Sequence, residues 1–448
     1  MRNLIIVIVI CLVSNSYSQN VTLENESTKL KIDLLGGKIR EFFLKNIAIN
    51  PIHSEYGHFI CFDRWGPSSV ADQAKGIPWH GEASYVTWKI DQAPVEKDSH
   101  IYSEMSCQLP KVKLSLKRKI WLDKNAAVVK VVEEVTNQNN VTKIFNLVQH
   151  ATIGPPFLDS TTIVDTKVIK GFSQAGTIPP AENETIGWPK AKLEGFQNDL
   201  RYLTGMGPEQ LVLSYTLDQN KQYGWVSAIN ASKGLLIGYI WPIKESPWLN
   251  LWLSQYGHIP GARGLEFGTT GLHQPFDVIE SIDSIFSQQL SEHIAPNETI
   301  SKSYIAFLAA IPNDYKGVEE ITYQDNKIKI VEYDADPIRD IIINTSSIPT
   351  DINGDTSFEI PDKFQLIQNY PNPFNPSTKI NYTIPSSSNV SIKVYNSLGE
   401  EITTLMNTFK TAGKYTVEFN SEDLPSGVYI YRMIAGNYSC TNKMLLLR

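Results

Sequence analysis

The feature that most constrains this chain is alternation. From Val21 onward, apolar and polar residues take turns at spacing two, as in KLKIDLLGGKIREFFL, KVKLSLKRKIWLD and AAVVKVVEEVTNQ. A period of two sends successive side chains to opposite faces of a strand, so such a segment buries one face and wets the other. Gly36-Gly37 and Asp123-Lys124-Asn125 supply turns between successive runs. LVLSYTL, YGWVSAIN, KGLLIGYIW and SKSYIAFLAAI carry the pattern on to Pro312. Helical periodicity is nearly absent; QPFDVIESIDSIFSQQ admits either a turn of helix or another strand. The expectation is an all-β chain whose large antiparallel sandwich spans residues 19–312.

The segments on either side differ in character. Met1-Arg2-Asn3, the apolar run Leu4 to Val13 and Ser16-Tyr17-Ser18 before Gln19 read as a secretory signal over residues 1–18. That run is too short for an ordinary membrane span, and no other segment qualifies. Residues 313–363 read as appended strands, NKIKIVEY and IRDIIIN, followed by a polar linker. Within the linker, DINGDTSFEIPD has acidic offsets like a calcium loop, but its glycine stands one position after Asn353 instead of after Asp355. No calcium is expected there. From Phe364 a second set of alternating strands begins, with turns at Asn396-Ser397-Leu398-Gly399 and Pro425-Ser426-Gly427. Residues 364–448 are read as a small immunoglobulin-like sandwich.

Charge and aromatics say where chemistry belongs. The formal net charge of −7 gives no footprint for nucleic acid. Every tryptophan lies between Trp65 and Trp252, and every histidine between His53 and His293. The small C-terminal sandwich therefore lacks both. Beyond the signal, Cys61, Cys107 and Cys440 make an odd, widely spaced set, which is no disulfide framework; Cys61 and Cys107 either pair or stay as buried thiols.

Three segments carry candidate site residues. The first, FDRWGPSSVADQAKGIPWHGEASY, holds Asp63, Arg64, Trp65, Trp79, His80 and Glu82 in an irregular Gly/Pro-rich loop. The second, QHATIGPPFLD, ends a strand at His150. The third, Trp241 to Phe276, holds Trp241, Trp248, Trp252, His258, His273, Arg263 and Glu266. Indole faces pack against the C–H faces of a sugar ring, and arginine offers a donor fork suited to vicinal hydroxyls or a carboxylate. A glutamate buried between Leu265 and Phe267 has a raised pKa and suits a base near neutral pH. The same tryptophans equally suit a core. No short-range spacing supports a metal, so no metal and no organic cofactor is expected.

Two resemblances add to this reading. Asn369-Tyr370-Pro371-Asn372-Pro373-Phe374-Asn375-Pro376, Val394 to Gly399, Ser426-Gly427-Val428-Tyr429 and the terminal Lys443 to Arg448 resemble the type A C-terminal sorting domain of the type IX secretion system. That implies a partner in the type IX machinery, and a secreted or surface-attached protein of a Gram-negative bacterium. KIDLLGGKIREFF, His80-Gly81, His150 and Glu266, in that order, resemble the aldose 1-epimerase or galactose mutarotase-like superfamily, a β-supersandwich. PWHGEASYVTW and QHATIGPPF look closer to its divergent branches than to the true mutarotases.

If the family's roles carry over, Glu266 is the base for the anomeric hydroxyl and His150 the proton donor to the ring oxygen. His80, Arg64, Trp79, Trp248 and Arg263 would bind the sugar, a monosaccharide or a glycan. Two alternatives stand beside that isomerase. One is a non-catalytic glycan-binding protein on the same scaffold. The other is a polysaccharide lyase or hydrolase, for which Glu82 or Asp63 would supply a second carboxylate.

Overall fold

The computed structural model describes residues 20–447 except 182–183, 191–198, 203–208, 258, 336–338, 346–362, 387, 411–412 and 422–423. The signal segment, His258 and the acidic run Asp351–Asp362 lie outside them. The chain divides into two units, Met1–Pro349 and Thr350–Arg448.

Two antiparallel sheets build the large unit among the described residues. The first runs, in spatial order, Asn20–Glu24, Thr28–Asp33, Lys38–Leu44, His58–Asp63, Lys143–Ile153, Ile259–Gly268, Trp248–Tyr256, Gln210–Thr216 and Gly171–Ser173. Glu292–Ile294 pairs the start of Lys143–Ile153. The second runs Ile163–Thr166, Tyr223–Asn230, Leu235–Pro242, Thr299–Ala310, Val128–Asn137, Leu114–Asp123, His100–Leu109 and Lys89–Glu96. The expected hairpin is present, with Gly36 (φ +80°) and Gly37 (φ +59°) at its tip. QPFDVIESIDSIFSQQ resolves into both readings: a helix over Phe276–Ile282, then the short strands Ser284–Ile285 and Gln288–Gln289.

Alternation explains the core. Leu147, Ala151, Leu249, Leu251, Leu265 and Phe267 point from the first sheet toward Val129, Val131, Ile237, Tyr239 and Leu308 of the second. Trp241 belongs to this core, stacked on Phe267 at 4.3 Å. Cys61 and Cys107 are buried free thiols. A third, three-stranded sheet (Val318–Gln324, Lys327–Glu332, Ile341–Asn344) packs Ile321, Ile328 and Ile330 against Trp225, Ile229 and Phe307. Those residues had read as appended strands.

One polar network interrupts the apolar core. Arg118 Nε donates to Glu133 Oε1 at 2.7 Å, and its guanidinium lies 4.8 Å from the Trp88 ring. From the opposite sheet, Gln149 Nε2 reaches Glu133 Oε1 at 3.5 Å, and His58 Nε2 lies 3.1 Å from Gln149 Oε1. Burial, with Arg118 nearby, lowers the His58 pKa to about 3, so the ring is neutral. Both partners of the ion pair are withdrawn from water, so removing one strands the other.

The small unit has a three-stranded sheet (Gln365–Leu366, Ser377–Ile384, Gly413–Asn420) and a four-stranded one (Ser388–Tyr395, Glu401–Lys410, Gly427–Ala435, Tyr438–Leu446) among the described residues. Ile380, Tyr382, Val390, Ile392, Tyr431 and Met433 fill its core.

Replacing Arg118 by Met should lower the unfolding free energy by about 3–5 kcal/mol in urea titrations, because Glu133 loses its counter-charge. The double variant Arg118→Met/Glu133→Met should recover most of that loss. Equal stability of Arg118→Met and the parent would show that the pair carries no such weight.

Candidate functional site

Strand register assembles the site. Glu266 lies opposite His150, His150 opposite Phe59, and Glu266 on its other side opposite Asn250. These four residues form one row across the first sheet, on the face turned away from the main core. The central strands are nevertheless buried on both faces. The cover on this side is the loop that follows Asp63.

Arg64 pins that loop. Its Nη2 pairs with Asp63 at 2.8 Å and its Nη1 with Asp72 at 2.8 Å, while the guanidinium faces the Phe276 ring. Ser69 caps the helix Val70–Ala74 by accepting from the Asp72 N–H. The chain then returns to His80, which occupies the left-handed region at φ +62°. Its N–H donates to the Gly66 carbonyl (3.0 Å) and its carbonyl accepts from the Phe62 N–H (3.1 Å). Gly81 follows at φ +78°, where a Cβ would collide with the Phe62 carbonyl. His-Gly is therefore a backbone requirement of this docking as well as a source of imidazole.

Beneath this loop lies an acid–base pair. Glu266 is 1 % exposed and His150 is 7 % exposed. Glu266 Oε1 lies 3.2 Å from His150 Nε2, and Glu266 Oε2 accepts from Trp65 Nε1 at 2.8 Å. His150 Nδ1 lies 2.9 Å from Thr152 Oγ1, and Phe59 stacks on the imidazole at 4.4 Å. Gly264 leaves the room for this: a Cβ there would run into Glu266 Oε1 and crowd Trp252. Burial raises the Glu266 pKa to about 8, and the Trp65 N–H pulls against that rise. Burial lowers His150 to about 3. With Glu266 protonated and His150 neutral, the pair carries no net charge at neutral pH.

Two further histidines lie nearby. His80 lies 5.7 Å from His150 and 5.5 Å from His273, centre to centre. The Gly66 N–H donates to His80 Nδ1 at 3.0 Å, so in the neutral ring the proton sits on Nε2. Burial, and the charges of His150 and His273, hold His80 well below the ordinary histidine pKa. Burial likewise lowers His273 to about 4. The three imidazoles do not form a metal-holding group among the described residues.

The structure thus brings together Glu266, His150, His80 and Trp79, and it places three of the expected residues elsewhere. Arg64 is buried and directs Nε and Nη2 at Asp63 and Nη1 at Asp72, so it supports the loop. Trp248 is fully buried, with its Nε1 donating to the Gln289 carbonyl at 2.8 Å, and it packs on Phe172. Arg263 is buried on the opposite face and donates to the Leu200 and Arg201 carbonyls. The second carboxylates proposed for a hydrolase are also occupied. Glu82 accepts from the Lys111 and Val112 amides, and Asp63 holds Arg64. Phe59 and Thr152 are neighbours of the pair that the motifs did not single out, and Trp65 and His273, named in the candidate segments without a role, also stand here.

Residues 368–447 match a family model described as "Secretion system C-terminal sorting domain". The C-terminal unit is a secretion sorting domain. The protein is therefore secreted or held at the cell surface. No curated protein matches the chain. Solved structures similar to it include a putative aldose 1-epimerase from Escherichia coli K12, at 14% identity and TM-score 0.45, covering 65% of this chain and 99% of that one. A galactose mutarotase-like protein from Clostridium acetobutylicum has 13% identity and TM-score 0.48, covering 65% and 95%. The Slr1438 protein from Synechocystis sp. PCC 6803 has 15% identity and TM-score 0.46, covering 65% and 96%. These are likenesses of fold.

Trp65→Phe removes the indole donor to Glu266 and should raise that carboxyl's pKa further above about 8, since a hydrogen bond to the carboxylate favours the ionised form. Carboxyl 13C NMR titration reads this directly. A pKa that falls in the variant would mean that the indole does not stabilise the carboxylate.

Proposed function

We propose that the large unit is an extracellular carbohydrate-active domain that opens and recloses an aldose ring, interconverting its anomers. The observation that carries this reading is the buried Glu266–His150 pair at 3.2 Å, with the rings of His80 and Trp252 beside His150. Opening a hemiacetal needs one proton removed from the anomeric hydroxyl and one delivered to the ring oxygen. The pair holds one proton; with that proton on His150 and Glu266 ionised, Glu266 takes the anomeric proton while His150 gives its own to the ring oxygen as the C1–O5 bond breaks. The open-chain aldehyde rotates about C1–C2, and the reverse steps give the other anomer. One proton enters the pair and one leaves, so its charge is the same before and after. His80, with its proton on Nε2, donates to a sugar hydroxyl. The chain's own groups suffice for this chemistry.

A second reading has an observation of its own. Both Glu266 oxygens and both His150 nitrogens already face protein partners. A site so closed on itself favours a non-catalytic glycan-binding protein. On either reading we assign export to the type IX pathway of a Gram-negative bacterium, guided by residues 1–18 at the start and 364–448 at the end.

Anomer exchange followed by NMR on the full-length protein, across a panel of aldoses, separates the two. Catalysis predicts exchange faster than in buffer, reduced about 100-fold or more by Glu266→Gln. It also predicts a rate that falls as pH rises past about 8, where the pair loses the one proton that His150 must deliver. Buffer-level exchange with every sugar would retire the isomerase and leave the binding protein.

A further inference from the structure

Aromatic rings continue beyond the acid–base pair in both directions along the strands. On the Ile259–Gly268 strand, Glu266 is flanked by Gly264 on one side and Gly268 on the other, each facing the same way as Glu266. Opposite Gly264 stands Trp252, whose ring centre lies 5.8 Å from that of His150. Tyr56 meets Trp252 edge-on at 5.3 Å, from the loop before His58. On the Gly268 side the cover comes from Trp65, packed on Cys61 and Val148. His273 lies 4.7 Å from Trp65, and Trp79 lies 5.4 Å from His273. The outermost rings on the two sides are open to solvent: Trp79 is 51 % exposed and Tyr56 is 39 % exposed.

A lone monosaccharide over Glu266 and His150 would leave both outer platforms unused. Large exposed aromatics with a polar tip, set on both sides of a polar centre, suit the apolar faces and hydroxyl edges of successive sugars. The sorting domain delivers this surface outside the cell, where glycans are chains as well as free sugars. We propose that the Glu266–His150 pair marks the centre of a binding surface for an oligomeric or polymeric glycan. Trp79 and His273 would stack on a ring on one side of the pair, and Trp252 and Tyr56 on the other. This rests on the reading of the pair and its surroundings as a carbohydrate site, but not on turnover there.

The test is calorimetric titration of the full-length protein with cello-, xylo-, manno-, malto- and oligogalacturonate series of one to six rings. In at least one series the association constant should rise about tenfold or more from monosaccharide to tetrasaccharide. Trp79→Ala and Tyr56→Ala, both at exposed positions where folding is safe, should each remove part of that gain. An affinity independent of chain length, or no binding in any series, overturns the proposal. Length-dependent binding without anomer exchange would keep the binding surface and remove the isomerase. Exchange with flat affinity would do the reverse.

Discussion

The site depends on one pairing, that of the Lys143–Ile153 strand with Ile259–Gly268. It sets Glu266 opposite His150 and leaves the two side chains 3.2 Å apart. Strand periodicity makes this pairing all-or-none, since a slip of one residue turns a side chain to the other face. The core resists such a slip. Leu147 and Ala151 on one strand, and Leu265 and Phe267 on the other, would then leave the interior. The residues that hold the sandwich together are thus the immediate neighbours of those that form the pair, and the same alternation places both.

The two faces of the Lys143–Ile153 strand also share a polar logic. Gln149 points inward to Glu133 and His58, while His150 points outward to Glu266. Each side holds a buried carboxyl, and each solves the problem differently. Glu133 has a full counter-charge in Arg118. Glu266 has only an indole N–H and an imidazole held neutral by burial, so its charge is disfavoured and its pKa climbs. The first arrangement is structural and static. The second leaves a carboxyl that titrates close to neutral pH, which is the property an acid–base group needs.

Much of this was legible in the chain. Alternation marks the strands, Gly36-Gly37 marks the first hairpin, and the apolar frame of Glu266 foretells its burial. His80-Gly81 and His150 were legible from their Gly/Pro surroundings. What stayed hidden depends on contacts far apart in sequence. Trp65 and Glu266 are 201 residues apart, and nothing local to FDRWGP says which carboxyl that indole will meet. Arg64, Arg263 and Trp248 were misjudged for the same reason. Residue type shows that a fork or an indole is available, but only the packed structure shows that Asp63, Asp72 and backbone carbonyls use it first. His273, between Leu272 and Gln274, gave no signal beyond its neighbouring Gly and Pro.

The supporting loop connects these points into one argument about specificity. Arg64 is the anchor of a segment that carries Trp65 to the carboxyl, His80 to the side of His150 and Trp79 to the surface. A single buried ion-paired arginine therefore anchors the segment that carries both the indole donor to Glu266 and the outer platform. The left-handed backbone at His80 and Gly81 stores the strain of that placement, which the Asp63 and Asp72 pairs offset. On the far side, Trp252 is fixed by its strand and by the bond from its Nε1 to Gln210 (2.7 Å), independent of the loop. The two platforms are consequently held by different means: one by sheet register, the other by a loop pinned through charge. Changes in the loop alter the Trp79 side and the Glu266 carboxyl together, while changes near Gln210 touch only the opposite platform. A surface built this way can change its reach on one side without disturbing the strands that hold the proton-bearing pair.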